Sequence, residues 1–228
     1  MRRGLALRKD HRIESFQANP LPLHHDLYLI AHGQSGKPLI RRSPMALGLA
    51  AAALLELALD GRVAVARGRV AVSGPAERTG DAVADGLLAL IAATPGDVSI
   101  PIRKAAEHAY DRTRAALVST GVLLRVTKRR MGLLPSTRYE PAGIASVLRA
   151  SSGVRSAVGG WKQPDTRCAA MSGLMAVLRL EKELCLDEPP SRLVTQLREI
   201  ADAGSREITQ VVGVVETLVT KAAMAVFR

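Results

Sequence analysis

Aromatic side chains are nearly missing from this sequence: two Phe, one Trp and three Tyr among 228 residues. With a hydrophobic content of 47%, the core must be filled by Ala, Val, Leu and Ile, which suits closely approaching helices better than facing sheets. Cysteine is almost as scarce. Cys168 and Cys185 are too few for a secreted disulfide framework and are not at a metal-ligand spacing, so both read as small core residues of a reducing cytosol. The basic start, residues 1–12, has no continuous apolar stretch, because Leu5 and Leu7 are followed by Arg8, Lys9 and His11; a signal peptide is not expected. The apolar stretches 44–59 and 208–227 are interrupted by Glu56 and by Glu216 with Lys221, whereas a membrane span needs roughly 20 mostly uncharged residues. Both read as buried helices, and any membrane contact is expected to be peripheral.

Recognisable signatures of catalysis are missing as well. There is no Gly-x-Ser-x-Gly elbow and no Cys paired with a credible His, and the carboxylates are scattered singly or on charge-balanced helix faces. The expectation is a non-enzyme with no cofactor. Gly33-Gln34-Ser35-Gly36-Lys37-Pro38 has the outline of a phosphate loop, but its glycines are too close together and Pro38 stands where a Mg²⁺-binding hydroxyl belongs. It reads as a turn. His24, His25, Asp26 and His32 are the densest set of possible metal ligands. Adjacent histidines on an ordered element usually point apart and no Cys supports them, so they read as surface or capping residues, with no metal site expected.

What the sequence does have is positive charge. Thirty-two Lys and Arg against twenty-one Asp and Glu give a formal +11, a field that attracts anionic lipid headgroups or nucleic acid without choosing between them.

Along the chain, residues 1–20 carry charges and little periodicity and are expected to form a mobile basic arm, with a single domain over 21–228. Residues 27–30 form a short apolar run, a helix end or a short strand. Ser43 and Pro44 open a long Ala/Leu helix to Leu59, closed by Gly61 and apolar on nearly every face. Residues 62–66 and 69–72 alternate about a glycine turn, which is a hairpin pattern. Thr79 or Asp81 caps a helix through Ala93, and another runs from about Ile102 to Thr120, closed by Gly121. Residues 122–126 then read as a strand, 127–132 as a basic turn and 133–139 as a return strand. Helix, glycine and hairpin thus occur twice, a weak internal repeat. After Pro141 the pattern is helical to the C-terminus, so the expected class is mainly α with small, winged-helix-like helix–hairpin units.

The second hairpin is the most informative segment. Lys128, Arg129 and Arg130 stand beside Met131, Leu133 and Leu134, a cationic shoulder next to an apolar tip. Three cations near an anionic bilayer contribute roughly 3 kcal/mol, at about 1 kcal/mol each. Binding of that strength needs the apolar tip or an oligomer to reinforce it.

Several segments together resemble the Golgi phosphoprotein 3 family, in particular its bacterial, actinobacterial-type members. They are Leu54-Leu55-Glu56-Leu57-Ala58-Leu59-Asp60-Gly61-Arg62-Val63, Thr79-Gly80-Asp81, Leu117-Val118-Ser119-Thr120-Gly121-Val122-Leu123, Thr137-Arg138-Tyr139 and Asp165-Thr166-Arg167. The resemblance implies a helical core with small hairpins, the long one, 122–139, serving homo-oligomer contacts and membrane engagement. It also implies a cytoplasmic, peripherally membrane-associated adaptor, since the eukaryotic members bind phosphatidylinositol 4-phosphate and hold the cytosolic tails of glycosyltransferases. The positions corresponding to the eukaryotic headgroup residues are Arg41, Ala50, Glu107 and Tyr110. None matches, so the resemblance does not extend to specific phosphoinositide recognition. Arg41, Arg42, Arg103, Lys104, Arg112 and Arg114 are the candidate anion-binding set in that neighbourhood. The alternatives are a winged-helix-like nucleic-acid binder, which Glu107 and Asp111 on the would-be recognition helix oppose, and a scaffold that binds acidic or tail peptides without lipid.

Overall fold

The computed structural model describes residues 21–74, 77–128 and 136–225. The arm expected at 1–20 and the hairpin-tip residues Arg129, Arg130, Met131, Leu133 and Leu134 lie outside the described residues. The chain folds as mainly α: eight α-helices among the described residues, with two small antiparallel sheets.

Pro22 precedes helix α1 (Leu23–His32), whose ten residues are all buried. The apolar run 27–30 is thus a helix and not a strand. Its histidines, expected at the surface, are inside. Helix α2 (Arg42–Leu59) follows and is buried without interruption from Met45 to Leu55. Ala50, Ala51, Ala52 and Ala53 present little bulk, so neighbours approach α2 from every side, as an all-round apolar helix requires. It is long and apolar enough to cross a bilayer, yet 67% of it is buried in the fold. It is the core helix.

At Gly61 the chain leaves α2 with φ 69 and enters β1 (Val63–Ala66), paired in register with β2 (Arg69–Val72), Val63 opposite Val72. Helix α3 (Ala82–Ala93) is capped by Asp81, whose carboxylate accepts from the amides of Val83 and Ala84. A two-residue strand β3 (Gly96–Asp97) extends the first sheet, an addition that the sequence reading did not contain. Helix α4 (Ser99–Ser119) starts three residues before the expected Ile102, because Pro101 is tolerated in its first turn.

Gly121, with φ 72, repeats the manoeuvre of Gly61. In both cases the strand begins two residues later, here β4 (Leu123–Lys128) paired with β5 (Ser136–Pro141). The internal repeat is therefore real as local geometry. The ladder pairs Lys128 with Ser136, so β4 runs two residues past the expected 126 and β5 begins three residues after the expected 133.

The C-terminal half comprises α5 (Ile144–Val158), α6 (Thr166–Leu178), a 3₁₀ turn (Glu181–Leu184), α7 (Pro190–Asp202) and α8 (Arg206–Ala225). Helix α8 buries Ile208, Val211 and Val215 on one side and exposes Thr209, Thr217 and Thr220 on the other. It is amphipathic and not, as its composition suggested, wholly buried. Cys168 is buried in α6 as expected, but Cys185 is exposed after the 3₁₀ turn.

One polar knot ties these helices together. Arg167 in α6 donates to Glu56 Oε1 on α2 at 2.6 Å, to Asp26 Oδ2 on α1 at 3.1 Å, and to the carbonyl of Leu21. Glu56 accepts, on its other oxygen, the Leu23 amide that the start of α1 leaves without an intrahelical partner. Burial pushes Asp26 up to about 6, against the pull of Arg167.

Two expectations follow. Arg167→Ala leaves two partly buried carboxylates and a helix start without their donor and is expected to cost about 3 kcal/mol. Because one ammonium cannot span three acceptors as a guanidinium fork does, Arg167→Lys recovers less than half of that, read as the urea midpoint at constant m. At Gly173 in α6, an added Cβ would lie 2.7 Å from Cγ2 of Val212 and 3.2 Å from Cβ of Ala201. Gly173→Ala is therefore expected to destabilise by about 1–3 kcal/mol despite its better helix propensity, seen as a lower thermal midpoint.

Candidate functional site

Two of the expected cations meet where the first turn of α2 lies against α4. Arg42 and Arg114 both grip Asp111, whose Oδ2 takes the Arg42 guanidinium while Oδ1 accepts from Arg114 at 2.8 Å. The Tyr110 ring forms a ledge beneath them, with its centroid 4.9 Å from the Arg42 guanidinium carbon and 5.5 Å from that of Arg114. Arg114 also lies 4.5 Å from the centroid of Tyr139 in β5. All three distances are within cation–π range. Helical spacing explains part of this, because residues 110, 111 and 114 are neighbours on one face of α4. Strand register supplies the rest. Arg125 pairs across the hairpin with Tyr139, which puts it on the same face of the ribbon. Arg125 was not singled out from the sequence, since only the pairing of β4 with β5 reveals its neighbour.

The ledge is fixed from below. Burial pushes His32 down, keeping its imidazole neutral. Its Nδ1 lies 2.8 Å from the Tyr28 carbonyl and so carries the proton, which leaves Nε2 to accept from the Tyr110 hydroxyl at 2.9 Å. Tyr28 stacks on His32 with centroids 3.9 Å apart. The glycine-rich turn after α1 is also accounted for. Gly36 has φ 63, and a Cβ there would lie 2.1 Å from the Tyr139 carbonyl oxygen. Its glycine lets the turn press against β5, a packing role and not phosphate binding.

The six candidate cations do not form a single pocket. Arg41 is exposed just ahead of α2, beside Arg42. Lys104 and Arg112 line a groove between α3 and α4 over Val83, Gly86 and Ala89, and Arg112 donates to the Ala82 carbonyl at 3.1 Å. Arg103 lines a separate recess with Asp97, Ser99 and Lys221; eleven residues from Arg114 on the same helix, it is about 16 Å away. Of the positions corresponding to the eukaryotic headgroup site, Ala50 is fully buried and Glu107 lines the α3–α4 groove, whereas Tyr110 is the ledge itself.

The metal-ligand candidates divide in a way that their order in the chain does not show. Asp26 turns to Arg167 and His32 to Tyr110. His24 and His25 converge on a residue far along the chain: their Nε2 atoms lie 3.2 and 3.6 Å from Oδ2 of Asp81. The expectation that adjacent histidines diverge fails here because both occupy the first turn of α1, tucked against the turn that carries Asp81. Burial and the neighbouring His24 hold His25 down at about 4.

A buried helical core, a helix–glycine–hairpin unit used twice and a cationic ledge at the root of the second hairpin describe a mainly helical scaffold. The model of the Golgi phosphoprotein 3 (GPP34) family matches residues 23–224, and the chain belongs to that family. Comparison with curated proteins gives no match. Tyr110→Phe is expected to leave the His32 Nε2 acceptor unpaired in the interior. The cost is about 1–2 kcal/mol in urea unfolding, with the ring still present under Arg42 and Arg114.

Proposed function

We propose that this chain is a non-enzymatic adaptor of the cytoplasmic membrane surface, which takes an anionic lipid headgroup between Arg42 and Arg114. The observation that carries this reading is the convergence of two guanidinium groups, from separate helices, on one aromatic ledge at the base of a hairpin. Asp111 is the carboxylate that both guanidinium groups hold. A phosphate monoester brings more charge than a carboxylate and offers bidentate geometry to each guanidinium, so it competes well for this place. The phosphate is the common feature of phosphoinositide-like headgroups. Arg125 adds a third cation on the same face. In sequence, Lys128, Arg129 and Arg130 and the apolar Met131, Leu133 and Leu134 follow, and this stretch is the proposed membrane-contacting segment. Exposed Leu124 in β4 and exposed Ile144 and Leu148 at the start of α5 offer apolar contact around the root of the same hairpin. Family membership supports the adaptor reading, with tail peptides of membrane proteins as cargo. Self-association through 122–139 would multiply weak single contacts by avidity.

Vesicle flotation of the full chain tests this. The protein is expected to float with vesicles containing phosphatidylinositol 4-phosphate or phosphatidylserine and not with neutral ones, and to be released by salt. At about 1 kcal/mol per cation, Arg42→Ala with Arg114→Ala should weaken binding by roughly thirtyfold. Asp111→Ala should strengthen it, and changing Lys128, Arg129 and Arg130 to Ala should weaken it further. Equal flotation of the wild type and the Arg42/Arg114 variant overturns the proposal. Salt-dependent retention of DNA without vesicle binding would replace it with the nucleic-acid reading.

A further inference from the structure

We infer that His24, His25 and Asp81 form a binding site for a divalent transition-metal ion, for which zinc is the best-fitting candidate, and that the ion staples α1 to the turn that opens α3. The donor set is two imidazoles and one carboxylate, and one ligand atom from each lies within 4.8 Å of the other two. Ligands held about 2.0–2.1 Å from a tetrahedral ion stand roughly 3.3–3.4 Å apart. The two measured separations, 3.2 and 3.6 Å from Asp81 Oδ2 to the His24 and His25 Nε2 atoms, bracket that value.

A second observation points the same way. The His24 side chain is 1% exposed and that of His25 is 7% exposed, and among the described residues none of their four ring nitrogens has a hydrogen-bond partner. Buried imidazole nitrogens are ordinarily paired. The polar atom that both rings approach is the same one, Asp81 Oδ2. A simple ion pair between His24 and Asp81 accounts for neither the second imidazole nor the remaining ring nitrogens.

The carboxylate is presented by a rigid turn. Asp81 Oδ1 caps α3 through the amides of Val83 and Ala84, both at 2.9 Å, which leaves Oδ2 free to face the histidines. Thr79 braces the turn, accepting from the Asp81 amide at 3.0 Å while its own hydroxyl donates to Asp85 at 2.8 Å. Two nitrogens and one oxygen suit Zn²⁺ and its first-row neighbours better than Mg²⁺ or Ca²⁺, which prefer all-oxygen shells. Asp81, at 16% exposure, leaves a route for the ion and for a fourth ligand from water.

The inference is independent of the proposed lipid site. His24 and His32 are eight residues apart on α1, about 12 Å along the helix, and no residue is shared between the two sites.

The test is titration of ZnCl₂ into the tag-free full chain after chelator treatment, followed by calorimetry and by the urea midpoint. One equivalent is expected to bind and to raise the midpoint. Asp81→Asn keeps a competent helix cap and His25→Gln keeps a polar side chain of similar reach. Each is expected to weaken zinc by more than the tenfold to hundredfold (about) that loss of a supporting hydrogen bond costs a metal site. Co²⁺ on the wild type should show the intense visible absorption of a tetrahedral site with no thiolate charge-transfer band. No stoichiometric binding to the wild type, an octahedral Co²⁺ spectrum, or zinc bound equally tightly by both variants would overturn the inference; the last would place the metal elsewhere, for example on exposed Cys185. If either variant loses its helicity, the wild-type stoichiometry and Co²⁺ spectrum decide.

Discussion

A carboxylate in the last turn of an apolar core helix has to be neutralised where it stands, and α1, α2 and α6 meet around that requirement. Glu56 lies on α2, the helix against which α1, α3, α4, α6, α8 and β1 pack, and its partner Arg167 comes from 111 residues further along the chain. Because Arg167 also reaches Asp26 and the Leu21 carbonyl, one guanidinium sets the relative position of α1, α2 and α6. A pair of this kind adds little net stability over an apolar contact of the same shape, since desolvation opposes the Coulomb gain. Its value is in register: helices surfaced with Ala and Leu can slide past one another at small cost, and this fork accepts one alignment.

That alignment carries through to the surface. With α1 fixed against α2, His32 is delivered to Tyr110, and Tyr110 to Arg42 and Arg114. Helix α4 serves both regions, sending Ala109, Thr113 and Leu117 inward while presenting Tyr110, Asp111 and Arg114 at its outer edge. The glycine at the end of each helix in the repeated unit then determines where charge goes. Gly121 starts the second hairpin two residues later, in a register that places Tyr139 beside Arg114 and Arg125 opposite Tyr139.

The fold was legible in the sequence where the signal was local: a cap at Thr79 or Asp81, of which Asp81 is the one formed, stops at Gly61 and Gly121, and the all-round apolar run of α2. Elements that depended on distant partners were not. Strand β3 is only two residues long and exists because β2 already lies beside it. The burial of α1 cannot be read from His24-His25-Asp26, whose polarity suggests a surface, because the groups that make burial tolerable, Arg167 and Asp81, are remote in sequence. The same limit applied to the site. Composition and the family resemblance brought attention to the start of α2 and to α4, but six cations seemed interchangeable, and only geometry separated Arg42 and Arg114 from Arg103, Lys104 and Arg112.

The two ends of α1 show why geometry was needed. His24, His25 and His32 are the same residue type and all buried, and at His25 and His32 burial favours the neutral ring. A neutral imidazole still has one donor and one acceptor to satisfy. At His32 both are met, by the Tyr28 carbonyl and the Tyr110 hydroxyl, and the ring becomes a fixed strut under an aromatic ledge. At His24 and His25 no ring nitrogen has a hydrogen-bond partner among the described residues, and both Nε2 atoms lie within 3.6 Å of one carboxylate oxygen, Asp81 Oδ2. Two buried imidazole nitrogens gathered at one carboxylate oxygen are a good arrangement for a cation. The same residue type, placed eight residues apart on one helix, is thus structural at one end and ligand-like at the other, and the difference comes entirely from which atoms the fold brings to meet it.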